Sequence, residues 1–99
     1  MKNNNPKIYL IDVDGTLTKE TCYTPRECLN ATPVQSVIDK VNKAFLKGFV
    51  IIYTARRNPL LPNTIEWLER NGVNYHAISN RKIPGDEYWD NKAVNPKDF

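Results

Sequence analysis

An α/β domain built on a small all-parallel sheet is the fold class that these 99 residues predict, from three observations. Two strand-forming runs, Ile8-Tyr-Leu-Ile11 and Phe49-Val-Ile-Ile-Tyr53, show no polar alternation, as strands covered on both faces do in parallel sheets. Residues 32–48 and 60–72 carry helical periodicity, and each stretch is long enough to cross back to a parallel neighbour. Both runs end in polar residues, Asp12-Val-Asp14-Gly15 and Thr54-Ala-Arg56, and open parallel sheets bind ligands beyond the carboxyl ends of their strands. With right-handed crossovers this is a three-layer domain of strand order 4-1-2-3, a single unit over residues 1–99.

Composition narrows the class. A chain this short is one small domain, burying only about two-thirds of its potential surface on folding. Hydrophobic residues at 40% and charged residues at 25% exclude disordered and collagen-like classes. A formal charge of +3, spread along the chain, slightly favours anionic ligands and falls well short of a nucleic-acid-binding stripe. Met1-Lys-Asn-Asn-Asn-Pro6 is no secretory signal and no run reaches membrane-spanning length, so a cytoplasmic protein without membrane contact is expected. Cys22 and Cys28, with the single His76, do not make a zinc set and read as ordinary loop thiols.

In chain order, a polar lead-in precedes the first strand, which ends at the acidic turn. Residues 18–31 lack sustained periodicity, join the acidic turn to the first helix and are too short for a folded lid; Tyr23 and Arg26 read as surface loop residues, with contact to a substrate as the alternative. Thr32 and Pro33 predict a helix start, as N-cap and first helical residue. Val34, Val37, Ile38, Val41 and Phe45 form its core stripe, and Gly48 its C-cap. After the second strand, Leu61, Ile65 and Leu68 predict a second helix, with Trp67 in its packing, stopping at Asn71-Gly72. Tyr75-His-Ala-Ile78 predicts a short third strand, with a structural or surface His76. Only about seven residues then lead to the fourth strand, fewer than a helical crossover takes. One sheet face is therefore thinly covered, which predicts a homodimer or an exposed apolar face.

The chemistry begins with Asp12 and Asp14. Carboxylates this close repel each other unless a cation, a shared proton or strong donors offset the repulsion. Magnesium suits such a pair, because it takes oxygen ligands from one or two carboxylates plus a substrate phosphate. The plain alternative is a polar strand end with a glycine turn.

Asp12-Val-Asp-Gly-Thr-Leu17 resembles the first signature, D-x-D-G-T-L/V, of the haloacid dehalogenase superfamily, mostly magnesium-dependent phosphatases of Rossmann-like fold. The resemblance implies that Asp12 is the nucleophile that becomes an aspartyl-phosphate and Asp14 the general acid and base, with Gly15 and Thr16 at the substrate. It implies that Thr54 hydrogen-bonds the transferring phosphoryl group. Arg56 and Arg57 follow at once, and a planar fork matched to phosphate oxygens suits one of them, Arg56 in the first instance, to hold substrate while the other is solvated. Arg57 stands where close relatives tend to have Gly. Lys82 stands at the third signature, a Lys that neutralises nucleophile and phosphate. The stretch from Lys82 to Ala93 resembles K-P-x-x-D-x-Y-I-D-D-K-A, which implies magnesium held by Asp12, the Asp14 carbonyl and Asp90. Ile83 replaces the usual Pro, and Asn91 replaces the second Asp, keeping an oxygen and removing a charge.

The resemblance runs from Ile8 to Phe99, and it implies that residues 18–31 are a small flap over the active site where other members of the superfamily add a cap domain, so this chain looks capless. It is similar both to short capless proteins of sugar-phosphate contexts and to the phosphatase module of phage polynucleotide kinase. The implied function is a phosphomonoesterase acting on a phosphorylated small molecule (a sugar phosphate or nucleotide) or the phosphorylated end of a macromolecule such as a nucleic acid. The alternative is a catalytically weak phosphate-binding or regulatory module.

Overall fold

The computed structural model describes residues 6–81 and 83–90. In chain order these are β1 (Ile8–Asp12), α1 (Pro25–Asn30), α2 (Gln35–Phe45), β2 (Phe49–Tyr53), α3 (Leu61–Arg70), β3 (Ala77–Ser79) and β4 (Glu87–Trp89). All four strands are parallel, in the order β3-β2-β1-β4. Read from the β4 edge, these are the neighbours 4-1-2-3. Leu10 pairs with Ile51 on one side and Tyr88 on the other, so β1 is central and Asp12 leaves the middle of the sheet.

Side-chain alternation along β1 sends Tyr9 and Ile11 to one face and Leu10 to the other. Tyr9 and Ile11 share a core with Val50 and Ile52 of β2, Ile38, Val41 and Ala44 of α2, and Trp67 and Leu68 of α3. Both long helices therefore lie on the same face. The physical reason is topological: the chain steps from β1 to β2 to β3 in one direction, and two right-handed crossovers in one direction land on one side.

The expected third layer is thus a correction: among the described residues no helix covers the other face. The β3–β4 link has to run back in the opposite sense, which puts it on that second face, and it has no length for a helix. It crosses as a strap instead. Gly85 lies so close to Leu10 that a β-carbon there would collide with the Leu10 side chain, and Leu10 is 1% exposed as a result. Asp86 fastens the strap, accepting from the Ile8 amide at 2.6 Å and donating its own amide to the Ile8 carbonyl at 2.8 Å. Away from the strap, Phe49 of β2 is 48% exposed.

Three local expectations are also corrected. The flap contains a helix, α1, begun by a reciprocal cap: Glu27 donates its amide to Thr24 Oγ1 at 3.2 Å, and the Glu27 carboxylate accepts from the Thr24 amide at 3.2 Å. Thr24-Pro25-Arg26-Glu27 is a capping-box sequence with Pro at the first helical position, a signal present in the chain and overlooked in favour of periodicity. With α1 formed, Cys28 and Cys22 are core residues, and burial pushes the Cys22 thiol up to about 11 and the Cys28 thiol in the same direction. Second, α2 starts at Gln35, because Thr32 is spent on Glu20, donating its amide at 2.8 Å and its hydroxyl at 2.6 Å. Third, Gly48 is not a left-handed cap. A β-carbon there would strike the Lys7 carbonyl, so what the position needs is close approach of two backbones. Among the described residues no helix is long and apolar enough to cross a membrane.

Candidate active site

Asp12 is the last residue of β1, in register with Tyr53 of β2, so the nucleophile candidate and Thr54 leave adjacent strands side by side. The chain turns at once after Asp12. Gly15 takes φ 77°, the left-handed region that a β-carbon disfavours, and the Thr18 amide closes the turn on the Val13 carbonyl at 3.1 Å. Thr18 is fully buried and braces this turn from inside. Its hydroxyl lies 3.1 Å from the Val13 carbonyl and 2.7 Å from the Glu20 carbonyl, and it accepts from the Gly15 amide at 3.3 Å.

The two carboxylates occupy unlike environments. Burial pushes the Asp12 carboxyl up to about 6; the Val13 amide opposes this, the charges of Asp14 and Asp90 add to it, and Arg56 opposes it. Asp14 is clamped. Arg56 donates from Nε to Oδ2 at 3.1 Å and from Nη2 to Oδ1 at 2.7 Å, and the Cys22 amide donates to Oδ1 at 3.0 Å. A planar guanidinium matched to both oxygens of a carboxylate fixes its plane as well as its position.

Arg56 is itself 5% exposed. Its Nη1 donates to Thr64 Oγ1 at 2.7 Å, and that hydroxyl donates to the Leu60 carbonyl at 2.7 Å. The guanidinium assigned to substrate from the sequence is thus engaged by Asp14 and by α3. Thr64, Thr18 and the Cys22 amide are the functional groups that sequence reading missed. For Thr64 a signal existed: a Thr on the inward face of a helix, four residues after Leu60, commonly bonds that carbonyl. Removing one partner of a buried ion pair is costly. Arg56→Ala is expected to lower the unfolding free energy by about 3 kcal/mol, and Arg56→Lys by less. Urea titration checks this, and a loss under about 0.5 kcal/mol for Arg56→Ala would show that the pair carries no stability.

Thr54 is fully buried at the end of β2, donating its amide to the Ser79 carbonyl at 3.0 Å. Its Oγ1 accepts from the Arg56 amide at 3.0 Å, so the loop-capping role is real and uses only the acceptor side of the hydroxyl. Thr16 is also buried, and its hydroxyl has no hydrogen-bond partner among the described residues. Asp90 follows β4 on the other side of β1 and lies near enough to raise the Asp12 carboxyl. The fold therefore brings Asp12, Asp14, Gly15, Thr16, Thr54, Arg56 and Asp90 to one edge of the sheet. Lys82 and Asn91 lie outside the described residues. Among the described residues, no three His, Cys, Asp or Glu side chains converge on one metal position.

Within the flap is a cavity of about 370 Å³ lined by Glu20, Thr21, Cys22, Glu27, Asn30 and Ala31. His76, at the far end of the sheet, accepts from the Val50 amide at Nδ1 (3.0 Å) and stacks on Phe45 with ring centroids 4.2 Å apart, a structural histidine.

Fold and site together define an open parallel α/β domain with an acidic centre beyond the ends of its middle strands. Two solved structures share the fold. A chain of the "Pnkp1/Rnl/Hen1 complex" superposes with a TM-score of 0.67 at 21% identity, over 82% of this chain and 32% of that one. A chain of the "Pnkp1/Rnl/Hen1 RNA repair complex" superposes with a TM-score of 0.69 at 21% identity, over 83% and 28%. This chain thus spans about a third of the length of those neighbours. No family model matches the chain, and no curated protein matches it by sequence.

Proposed function

We propose that this chain is a magnesium-dependent phosphomonoesterase of the haloacid dehalogenase type, working through an aspartyl-phosphate. The convergence of Asp12, Asp14, Thr54 and Asp90 at the carboxyl ends of adjacent strands carries the reading. Asp12 has no cationic side chain paired with it among the described residues, and its charge is disfavoured until a cation arrives. Asp14 is held in one orientation by three donors.

In the first step an Asp12 oxygen bonds to phosphorus as the bond from phosphorus to the leaving oxygen breaks, and Asp14 protonates that oxygen. Asp14 Oδ1 already accepts twice and Oδ2 once, which leaves Oδ2 a lone pair for the transferable proton. In the second step water attacks phosphorus, Asp14 recovers the proton, and Asp12 is released as carboxylate. The Thr54 hydroxyl keeps its proton to donate to a phosphoryl oxygen, and the unpartnered Thr16 hydroxyl is a second polar group of the same edge. Lys82 is assigned the remaining positive charge from its sequence position.

Magnesium fits the donor set, which has the one or two carboxylates and the backbone carbonyl this ion takes while keeping waters, so a cage of three side chains is not required. Asp12, Asp90 and the Asp14 carbonyl would hold it, and it would neutralise charge on Asp12 and the phosphate. Asp12 sets the pH at which this is measurable. Its folded-state pKa is raised, so protons compete with the ion below about pH 6. Magnesium is expected to raise the melting temperature at pH 7.5 and to do so far less at pH 5, by differential scanning fluorimetry. An equal rise at both would place the ion away from Asp12.

Among sugar phosphates, nucleotides and nucleic-acid ends, the last is favoured by structural neighbours that are chains of an RNA repair complex. Phosphate release from a panel of all three, with and without magnesium, tests the proposal. Turnover by none of them, alongside measurable phosphoester binding, would establish the binding-module reading instead.

A further inference from the structure

The loops that follow β2 and β3 bring two arginines to the flank of the site, and the mechanism uses neither. Arg57 comes three residues after Thr54, and Arg81 two residues after Ser79. Tyr53 and Ser79 are register partners, so the two loops leave strands roughly 4.8 Å apart. A side-chain bond ties them together: Asn80 Nδ2 donates to Asn58 Oδ1 at 2.6 Å. Arg57 directly precedes one of these asparagines and Arg81 directly follows the other. The backbone of Arg81 is further pinned to Ser79, whose hydroxyl donates to the Arg81 carbonyl at 2.7 Å and accepts from the Arg81 amide at 3.0 Å. Both arginines are exposed. Neither forms an ion pair among the described residues, in contrast to Arg56 beside them.

We infer that Arg57 and Arg81 form a subsite for a second phosphate group of the substrate, on the β2–β3 side of Asp12. The inference rests on the phosphomonoesterase reading of the central site and adds a substrate class to it: phosphoesters that carry another phosphate beyond the one removed. Guanidinium groups are the side chains best matched to phosphate oxygens, and two of them without competing carboxylates favour a dianion. The flap offers no such pair, since its exposed Lys19 and Arg26 alternate with Glu20 and Glu27, which line its cavity. The paired, tied arginines are on the β2–β3 side, so a second phosphate is placed there. The shared chemistry is the second phosphate, whether it belongs to a nucleotide-like or a sugar-like compound.

The test compares the full chain with its Arg57→Gln/Arg81→Gln double variant. Two substrate pairs separate the sources: adenosine monophosphate against an adenosine bisphosphate phosphorylated at both ends of the ribose, and fructose monophosphate against fructose bisphosphate. The wild type is expected to favour a bisphosphate about tenfold in kcat/KM at low salt, mostly through KM, and the preference should shrink as salt screens the arginines. In the double variant the ratio should fall to about twofold or less, while Arg57→Lys/Arg81→Lys retains most of it. Melting curves show that each variant is folded.

Calorimetric titration with the same four ligands gives the corresponding binding ratio without turnover. A protein that hydrolyses none of them yet binds bisphosphates tenfold better, in an arginine-dependent way, would sink the phosphatase reading and keep the subsite. Hydrolysis with equal ratios in wild type and double variant would overturn the subsite and keep the phosphatase.

Discussion

Asp12→Asn is expected to abolish phosphate release from every substrate, a loss on the order of 10⁴-fold or more, because an amide oxygen cannot form the phosphorylated intermediate. The same change should stabilise the metal-free protein at neutral pH. The Asp12 carboxyl is raised from its ordinary 3.8 to about 6 by burial, so the fold prefers the protonated form. The stability it contributes is full below pH 4 and is lost as pH rises through about 6. Allowing for partial exposure, the charge costs about 1–2 kcal/mol at pH 7.5, which the amide would recover. Urea titrations of both proteins at pH 4 and pH 7.5, without magnesium, measure it. A variant that is inactive and also less stable at pH 7.5 would mean that Asp12 is paired in the resting fold, contrary to the buried carboxyl without a cationic partner described above.

Asp14→Asn should slow hydrolysis of alkyl phosphates by roughly 10²- to 10⁴-fold, the usual worth of general acid-base help. The loss in the first step should be smaller for an aryl phosphate, whose leaving oxygen departs with little protonation. Rapid-quench measurement of the phenol burst separates that step from release of phosphate, in which Asp14 also serves. Geometry supplies a control. An amide can accept from Arg56 only through its oxygen, so the variant also loses part of the clamp, and Arg56→Lys is the comparison that loosens the clamp while keeping the acid. If Arg56→Lys reproduces the full alkyl-over-aryl selectivity of Asp14→Asn, orientation of Asp14 accounts for the effect; if Asp14→Asn slows alkyl and aryl substrates equally, Asp14 is not the acid.

Much of the frame was legible because it is encoded locally. The uninterrupted apolar run Phe49–Tyr53 is β2 to the residue, and the stripe through Ile38 and Val41 is the buried face of α2. The acidic turn was readable because Asp-x-Asp-Gly combines repelling charges with the one residue type that takes φ 77° without penalty. Even α1, overlooked, had announced itself in Thr24 and Glu27.

What the chain by itself determined is therefore the two long strands, the long helices, the parallel arrangement and the position of the two carboxylates at a strand end; the third strand, expected at 75–78, is Ala77–Ser79, with Tyr75 and His76 before it. The tertiary structure alone decided which groups those carboxylates meet. Arg56 reads in the sequence as a phosphate-binding arginine, and only folding turns it inward onto Asp14, 42 residues away, with Thr64 behind it. The same holds for the second face of the sheet, closed by a strap where a helix layer was expected, with Gly85 against Leu10. Local sequence sets backbone preference, but the partner of a buried polar group is whichever group packing brings within hydrogen-bond reach, and that is settled when distant segments close on one core.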